Sequence, residues 1–148
     1  MIVLQVAGFS DSGKTTVCRM LADVATRQGH VVGYIKHHDG PIERDGSGTD
    51  LLRQAGATHR WLTGSDGSIQ LGCPADLEVL ISAAKAAGCG FVLVEGFKSQ
   101  RGAKCWLRRH ADDATPASVP DVGLDMLGAE AMSLGAEELM CRMPWRDV

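Results

Sequence analysis

The stretch Gly8-Phe9-Ser10-Asp11-Ser12-Gly13-Lys14-Thr15 constrains this chain more than any other. It fits the pattern G-x-x-x-x-G-K-[ST]. Before it runs "IVLQVA" (2–7), short, apolar and β-rich. After it, Val17, Met20, Leu21 and Val24 recur at helical spacing until Gly29 stops the pattern. Strand, glycine-rich loop and helix is the context in which this pattern carries physical meaning. Gly8 and Gly13 allow a tight turn and let the backbone approach an anion with no Cβ in the way. The loop N–H groups then form a concavity for phosphate oxygens, reinforced by the positive end of the helix. Lys14 supplies a mobile charge for a terminal phosphate, and the Thr15 hydroxyl is placed to ligate Mg²⁺. At Ser10, Asp11 and Ser12 the backbone does this work, so those side chains are expected to vary freely.

A second strand follows at 30–37, "HVVGYIKH", which completes a βαβ unit. Residues 38–48 read as a polar, glycine-rich loop. A short helix is expected at 49–55, capped by Thr49 and stopped by Gly56. Two short runs around "GSDG" predict a β-hairpin over 59–72. Residues 74–88 read as a helix with Pro74 near its first position and Gly88 closing it. "FVLVEG" (91–96) has the continuous apolar character of a buried parallel strand, and 103–109 is a further strand candidate. A helix is expected near 129–141. These elements predict an α/β chain of the P-loop NTPase three-layer type: a mainly parallel sheet, helices on both faces, and a β-hairpin extension. The expected organisation is a single nucleotide-binding domain over 1–148, with 110–148 the least defined part.

Composition narrows the function. With 148 residues, 45% hydrophobic and 22% charged, the chain can bury one real core. A net charge of −3 without a basic block argues against nucleic acid as the main ligand. No apolar run approaches the ~20 residues of a membrane span. The start lacks a basic n-region and a small-residue cleavage pattern, so no signal peptide is expected. The 5 cysteines (Cys18, Cys73, Cys89, Cys105, Cys141) form no C-x-x-C pair, which predicts reduced thiols and a cytoplasmic setting.

A P-loop needs an acidic side chain at the tip of a neighbouring strand, to hold Mg²⁺ directly or through water. Glu95, after four apolar residues, is the carboxylate placed that way. Between the two motifs, "IKHHDGPIERDGSGTD" is where a switch-like segment would meet the terminal phosphate. Its candidates are Lys36, His37, Asp39, Glu43, Asp45, Thr49 and Asp50. His37 and His38 lack partners at zinc-ligand spacing. There is no N-K-x-D stretch, and no asparagine at all, so the residues alone leave GTP and ATP both open.

Taken together, "GFSDSGKTT", "VVGYIKH", "RQAGA" (53–57) and above all "FVLVEGFK" (91–98) resemble the MobB family of molybdopterin-guanine dinucleotide biosynthesis, over roughly residues 2–109. The resemblance implies a small P-loop protein that binds Mg-GTP, hydrolyses it weakly, and assists the guanylyltransferase of the molybdenum cofactor. It implies phosphate binding by Gly8 through Thr16, metal binding by Thr15 and Glu95, and a place near the nucleotide for Lys36 and His37. Lys14 and Glu95 would be the catalytic groups. It also implies a homodimer with the 59–72 hairpin at or near the interface. Two other classes stay open: a small-molecule P-loop kinase using ATP, with Arg101, Arg108 or Arg109 as a lid arginine, and a non-catalytic nucleotide-dependent scaffold.

Overall fold

The computed structural model describes residues 1–38, 54–64, 69–70 and 76–148. Strand β1 (Ile2–Gly8) feeds helix α1 (Lys14–Arg27), and β2 (Val32–His38) returns into the same sheet. Next come β3 (Ala57–Gly64), β4 (Ile69–Gln70), α2 (Leu77–Ala86) and β5 (Phe91–Glu95). The last part holds β6 (Lys104–Arg108), β7 (Val122–Leu127), α3 (Gly128–Ser133), α4 (Ala136–Arg142) and β8 (Arg146–Asp147). The sheet order is β4-β3-β2-β5-β1-β6-β7, with β8 added beside β1. All neighbours run parallel except β4 against β3 and β8 against β1. β8 pairs with Ile2 and Val3, and β6 pairs with Gln5 through Gly8. The two short partners therefore share successive stretches of β1.

Period-2 alternation sorts the central strands onto two faces. Leu4, Val6, Val32, Tyr34, Phe91 and Leu93 pack with α1 and with Ala131, Leu139 and Met143 of the C-terminal segment. Val3, Ile35, Val92 and Val94 pack with Leu77, Leu80, Ile81 and Ala84 of α2. Helices thus cover both faces of the sheet, and the core consists of two layers.

The expected elements mostly recur with shifted ends. The strand pairing Leu62–Gln70 and Thr63–Ile69 is antiparallel, as a hairpin requires. Residues 65–68 of its turn lie outside the described residues, as do Cys73, Pro74 and the expected helix up to residue 53. Helix α2 starts at Leu77, later than the expected 74. The Asp76 carboxylate accepts from the N–H of Glu78 and Val79, which fixes the cap there. The single helix expected near 129–141 is two. Leu134 and Gly135 are extended between α3 and α4, and the Ser133 hydroxyl donates to the Glu130 carbonyl at 2.7 Å, competing with the helical ladder. β7 and β8 have no counterpart among the sequence-based expectations. None of the helices among the described residues is long and apolar enough to cross a membrane.

Candidate functional site

The site forms at the carboxyl ends of β1, β2 and β5, where α1 begins. α1 has no side-chain cap and no acidic residue in its first turn. Gly13, at φ 87°, takes the cap position instead. The first-turn N–H groups and the positive helix end are left open to an anion. Helix α2, with Asp76 and Glu78 at its start, is closed in this sense. In front of α1 lies a cavity of about 480 Å³ lined by Ser10, Asp11, Gly13, Lys14, Thr15, Thr16, Lys36, His37 and Glu95. Nine of the expected site residues therefore meet around one volume.

Glu95 organises the floor. It ends β5 on the α1 side and is 3% exposed. The Thr15 hydroxyl reaches both of its oxygens at 3.0 Å, and Lys36 Nζ lies 3.2 Å from Oε1. Tyr34, two residues before Lys36 on the same face of β2, donates its hydroxyl to Oε2. A buried carboxylate is tolerable because a cation and two hydroxyl donors replace its water. Burial, and then the Glu95 charge, push the Tyr34 phenol well above its ordinary range, so it stays a donor. Burial, and then Glu95, likewise raise the Cys18 thiol beneath the loop. Lys14 Nζ donates to the Phe9 carbonyl at 2.6 Å, across the loop it would serve.

The turn after Glu95 explains "VEGFK". Gly96 and Phe97 both take positive φ, 89° and 51°. A Cβ on Gly96 would sit 2.8 Å from the His37 carbonyl. The Gln5 side-chain amide donates to the carbonyls of Gly96 and Phe97, both at 3.0 Å. The rings of His37 and Phe97 lie 4.9 Å apart, joining the ends of β2 and β5.

Two expected loop residues stand elsewhere. Gly8 does not line this cavity; a Cβ there would lie 2.3 Å from the Leu107 carbonyl of β6. Its glycine is demanded by the neighbouring strand, whatever anion the loop meets. Ser12 is 3% exposed and its hydroxyl has no hydrogen-bond partner among the described residues. The expectation that Ser12 varies freely is therefore corrected: a larger side chain has no room under the loop. Above it, a Cβ on Gly128 would come 1.8 Å from the Ser12 carbonyl, and Met132 lies against Gly13. The start of α3 clamps the loop from outside.

Tyr34, Gln5 and Gly128 were missed by sequence reasoning. Period-2 alternation back from Lys36 was the available signal for Tyr34, and a lone glutamine in an apolar strand was the signal for Gln5. Nothing local marked Gly128. Of the arginines weighed as a lid, Arg108 pairs with Asp125 at 2.6 Å, and Arg109 lies over the Phe9 ring at 5.4 Å. Asp39, Glu43, Asp45, Thr49 and Asp50 lie outside the described residues. Among the described residues, no three His, Cys, Asp or Glu side chains gather as a metal-ligand set. A cation here would draw on the Thr15 hydroxyl, the Glu95 carboxylate and ligand oxygens, a hard all-oxygen set suited to Mg²⁺.

Residues 3–124 match the family described as molybdopterin guanine dinucleotide synthesis protein B, MobB. The chain belongs to the MobB family. The match runs past residue 110 to the first half of β7, further than the motifs alone reach. A Bacillus subtilis protein named as a molybdopterin-guanine dinucleotide biosynthesis adapter is 35% identical over 102 residues, 65% of this chain and 58% of its own. The Escherichia coli adapter protein of the same description is 33% identical over 118 residues, 72% of this chain and 65% of its own. This chain spans 42% to 65% of the length of the curated relatives it matches. The crystal structure of a MobB homologue from Bacillus stearothermophilus superposes with a TM-score of 0.54 at 22% identity, covering 94% of this chain and 95% of that one. That likeness carries the fold, a P-loop NTPase-like α/β sheet with helices on both faces.

Proposed function

We infer that this MobB-family chain is a Mg-GTP-binding adapter of molybdopterin guanine dinucleotide biosynthesis, with weak GTPase activity at most. The observation that carries the reading is the meeting of Lys14, Thr15, Lys36 and Glu95 around one cavity at an uncapped helix start. Loop N–H groups and Lys14 would hold the triphosphate. Thr15 and Glu95 would hold Mg²⁺, which supplies neutralisation of charge on the bridging oxygen when bound. Their present contact at 3.0 Å means that one ion could reach both. Lys36 balances Glu95, and Tyr34 fixes its rotamer. The choice of GTP rests on family membership.

No arginine from the described residues lines the phosphate-side cavity. An arginine finger is worth about 10³–10⁵ in rate, so turnover without one is slow. A slow hydrolyser suits an adapter that presents nucleotide to a guanylyltransferase. The reading includes a homodimer and a cytoplasmic setting. Its test is to add the chain to a guanylyltransferase reaction with GTP. Wild type is expected to raise product formation and Lys14→Ala to leave it at the basal level; equal stimulation by both would sink the reading.

A further inference from the structure

Glu95 is held by two β2 residues that differ in freedom. Tyr34 and Lys36 stand two residues apart, so both face the same side of the sheet, and Lys36 is the register partner of Glu95. Tyr34 is fully buried, and its hydroxyl serves Oε2. Lys36 serves Oε1 at 3.2 Å, and its side chain is 19% exposed against 4% for Glu95. Lys36 also lines the cavity before α1, together with Lys14, Thr15 and Thr16. The Thr15 hydroxyl reaches the same Oε1 at 3.0 Å. Oε1 and Thr15 Oγ are thus the oxygens a metal ion would take, and Oε1 is the one the lysine holds. The backbone here is pinned: a Cβ on Gly96 would lie 2.8 Å from the His37 carbonyl, and the His37 and Phe97 rings are 4.9 Å apart. Any change of partner therefore falls to the Lys36 side chain. An ammonium on a flexible stem can leave one anion for another while its Cα stays in place.

We propose that Lys36 is an exchangeable counter-cation for Glu95: a divalent ion takes Oε1 only as the terminal phosphate of a nucleotide takes the Lys36 ammonium. The inference rests on the reading that Thr15 and Glu95 hold Mg²⁺. A buried carboxylate needs a cation, and Lys36 supplies one from within the chain. A divalent ion arriving alone must displace that ammonium into a cavity that Lys14 also lines, with no new anion to receive it. A triphosphate brings anionic oxygens into the same cavity. Lys36 is then drawn from carboxylate to phosphate in the step that opens Oε1 to the ion. Tyr34, buried and neutral, stays on Oε2 and keeps the carboxylate in place through the exchange. Metal and nucleotide thereby favour each other beyond their affinity in solution, and the coupling is reciprocal.

The test is the Mn²⁺ affinity of the full chain, read from the electron paramagnetic resonance signal of free Mn²⁺, an ion that suits the same oxygen ligands as Mg²⁺. It is measured with and without a saturating non-hydrolysable GTP analogue and corrected for the analogue's own Mn²⁺ binding. The ratio of the two dissociation constants is the coupling. Lys36→Met keeps the stem and removes the charge. It is expected to bind Mn²⁺ alone about tenfold or more tighter than wild type, and to lower the coupling by a similar factor, since it removes a charge at ion-pair distance from the carboxylate. Its melting temperature is expected to fall in EDTA and to recover with Mn²⁺, which replaces the missing cation. Lys36→Arg keeps the charge, but its planar fork grips a carboxylate more firmly. It is expected to bind Mn²⁺ alone no tighter than wild type, and Mn²⁺ with the analogue more weakly. Glu95→Gln tests the metal reading separately: unchanged Mn²⁺ affinity in the presence of the analogue would remove that reading and this inference with it. Weaker Mn²⁺ binding by Glu95→Gln together with an unchanged coupling in Lys36→Met would overturn the exchange alone, as would Lys36→Arg matching wild type in both conditions.

Discussion

Tyr34 is the residue through which β2 controls the carboxylate of β5, and it is the chain's one tyrosine. Its phenol is held neutral by burial and by Glu95, so its folded pKa is raised. Below about pH 10, tyrosine is protonated in both the folded and unfolded states. Above that, the unfolded chain loses a proton that the folded chain keeps, so stability falls as pH rises. Cys105, pushed up to about 12 by burial, and Cys18 act in the same direction. Near-ultraviolet difference absorbance should therefore show Tyr34 ionising only together with unfolding; ionisation of a folded chain near pH 10 would contradict its burial. Tyr34→Phe leaves a carboxylate oxygen short of a donor and is expected to cost about 1–3 kcal/mol by denaturant melting. Gly128→Ala drives a methyl into the Ser12 carbonyl. It should cost about 1–3 kcal/mol and displace the loop, read as lower stability together with weaker nucleotide binding.

Helices α1 and α2 show how two starts of similar helices serve opposite ends. α2 is closed by Asp76, and Asp76→Ala is expected to lower stability by about 1 kcal/mol in thermal melts without touching nucleotide affinity. α1 is left open by Gly13, and stability there would be exchanged for the proposed anion site. The α1 half of this contrast was legible in the sequence, because G-x-x-x-x-G-K-[ST] is a statement about backbone and helix start; the Asp76 cap of α2 was not. The strands β1 and β5 were legible as short apolar runs bounded by glycine, and β2 as the β-rich run that returns after α1. β7 was not. Its "VGLDML" carries Gly123 and Asp125, and burial alternates along an edge position, so neither a continuous apolar run nor clean polarity marked it. The break between α3 and α4 was hidden too, since Leu134 keeps the helical apolar spacing while packing from an extended backbone. Leu139 of α4 is fully buried against α1, and Leu139→Ala should cost about 2–5 kcal/mol by chemical denaturation.

At the scale of the whole molecule, the site is a consequence of sheet order. Placing β5 between β2 and β1 brings Glu95 beside both Lys36 and the loop after β1. Residues 80 positions apart, Thr15 and Glu95, then touch. No sequence pattern fixes that order; the sequence predicted a mainly parallel sheet with two motifs at strand tips, and the order β4-β3-β2-β5-β1-β6-β7 came from the structure. On the other flank β6 was expected and β7 was not; β7 leads into the start of α3 that clamps the loop at Gly128, and a second cavity opens beside β6. The reading stands or falls with the cavity before α1 being a triphosphate site worked by Lys14. Calorimetric titration with non-hydrolysable Mg-GTP and Mg-ATP, on wild type and on Lys14→Ala, tests it most directly. Wild type is expected to prefer Mg-GTP, and Lys14→Ala to bind it at least about tenfold more weakly, the loss of a charge-assisted contact. Equal binding of Mg-GTP by wild type and Lys14→Ala would contradict it.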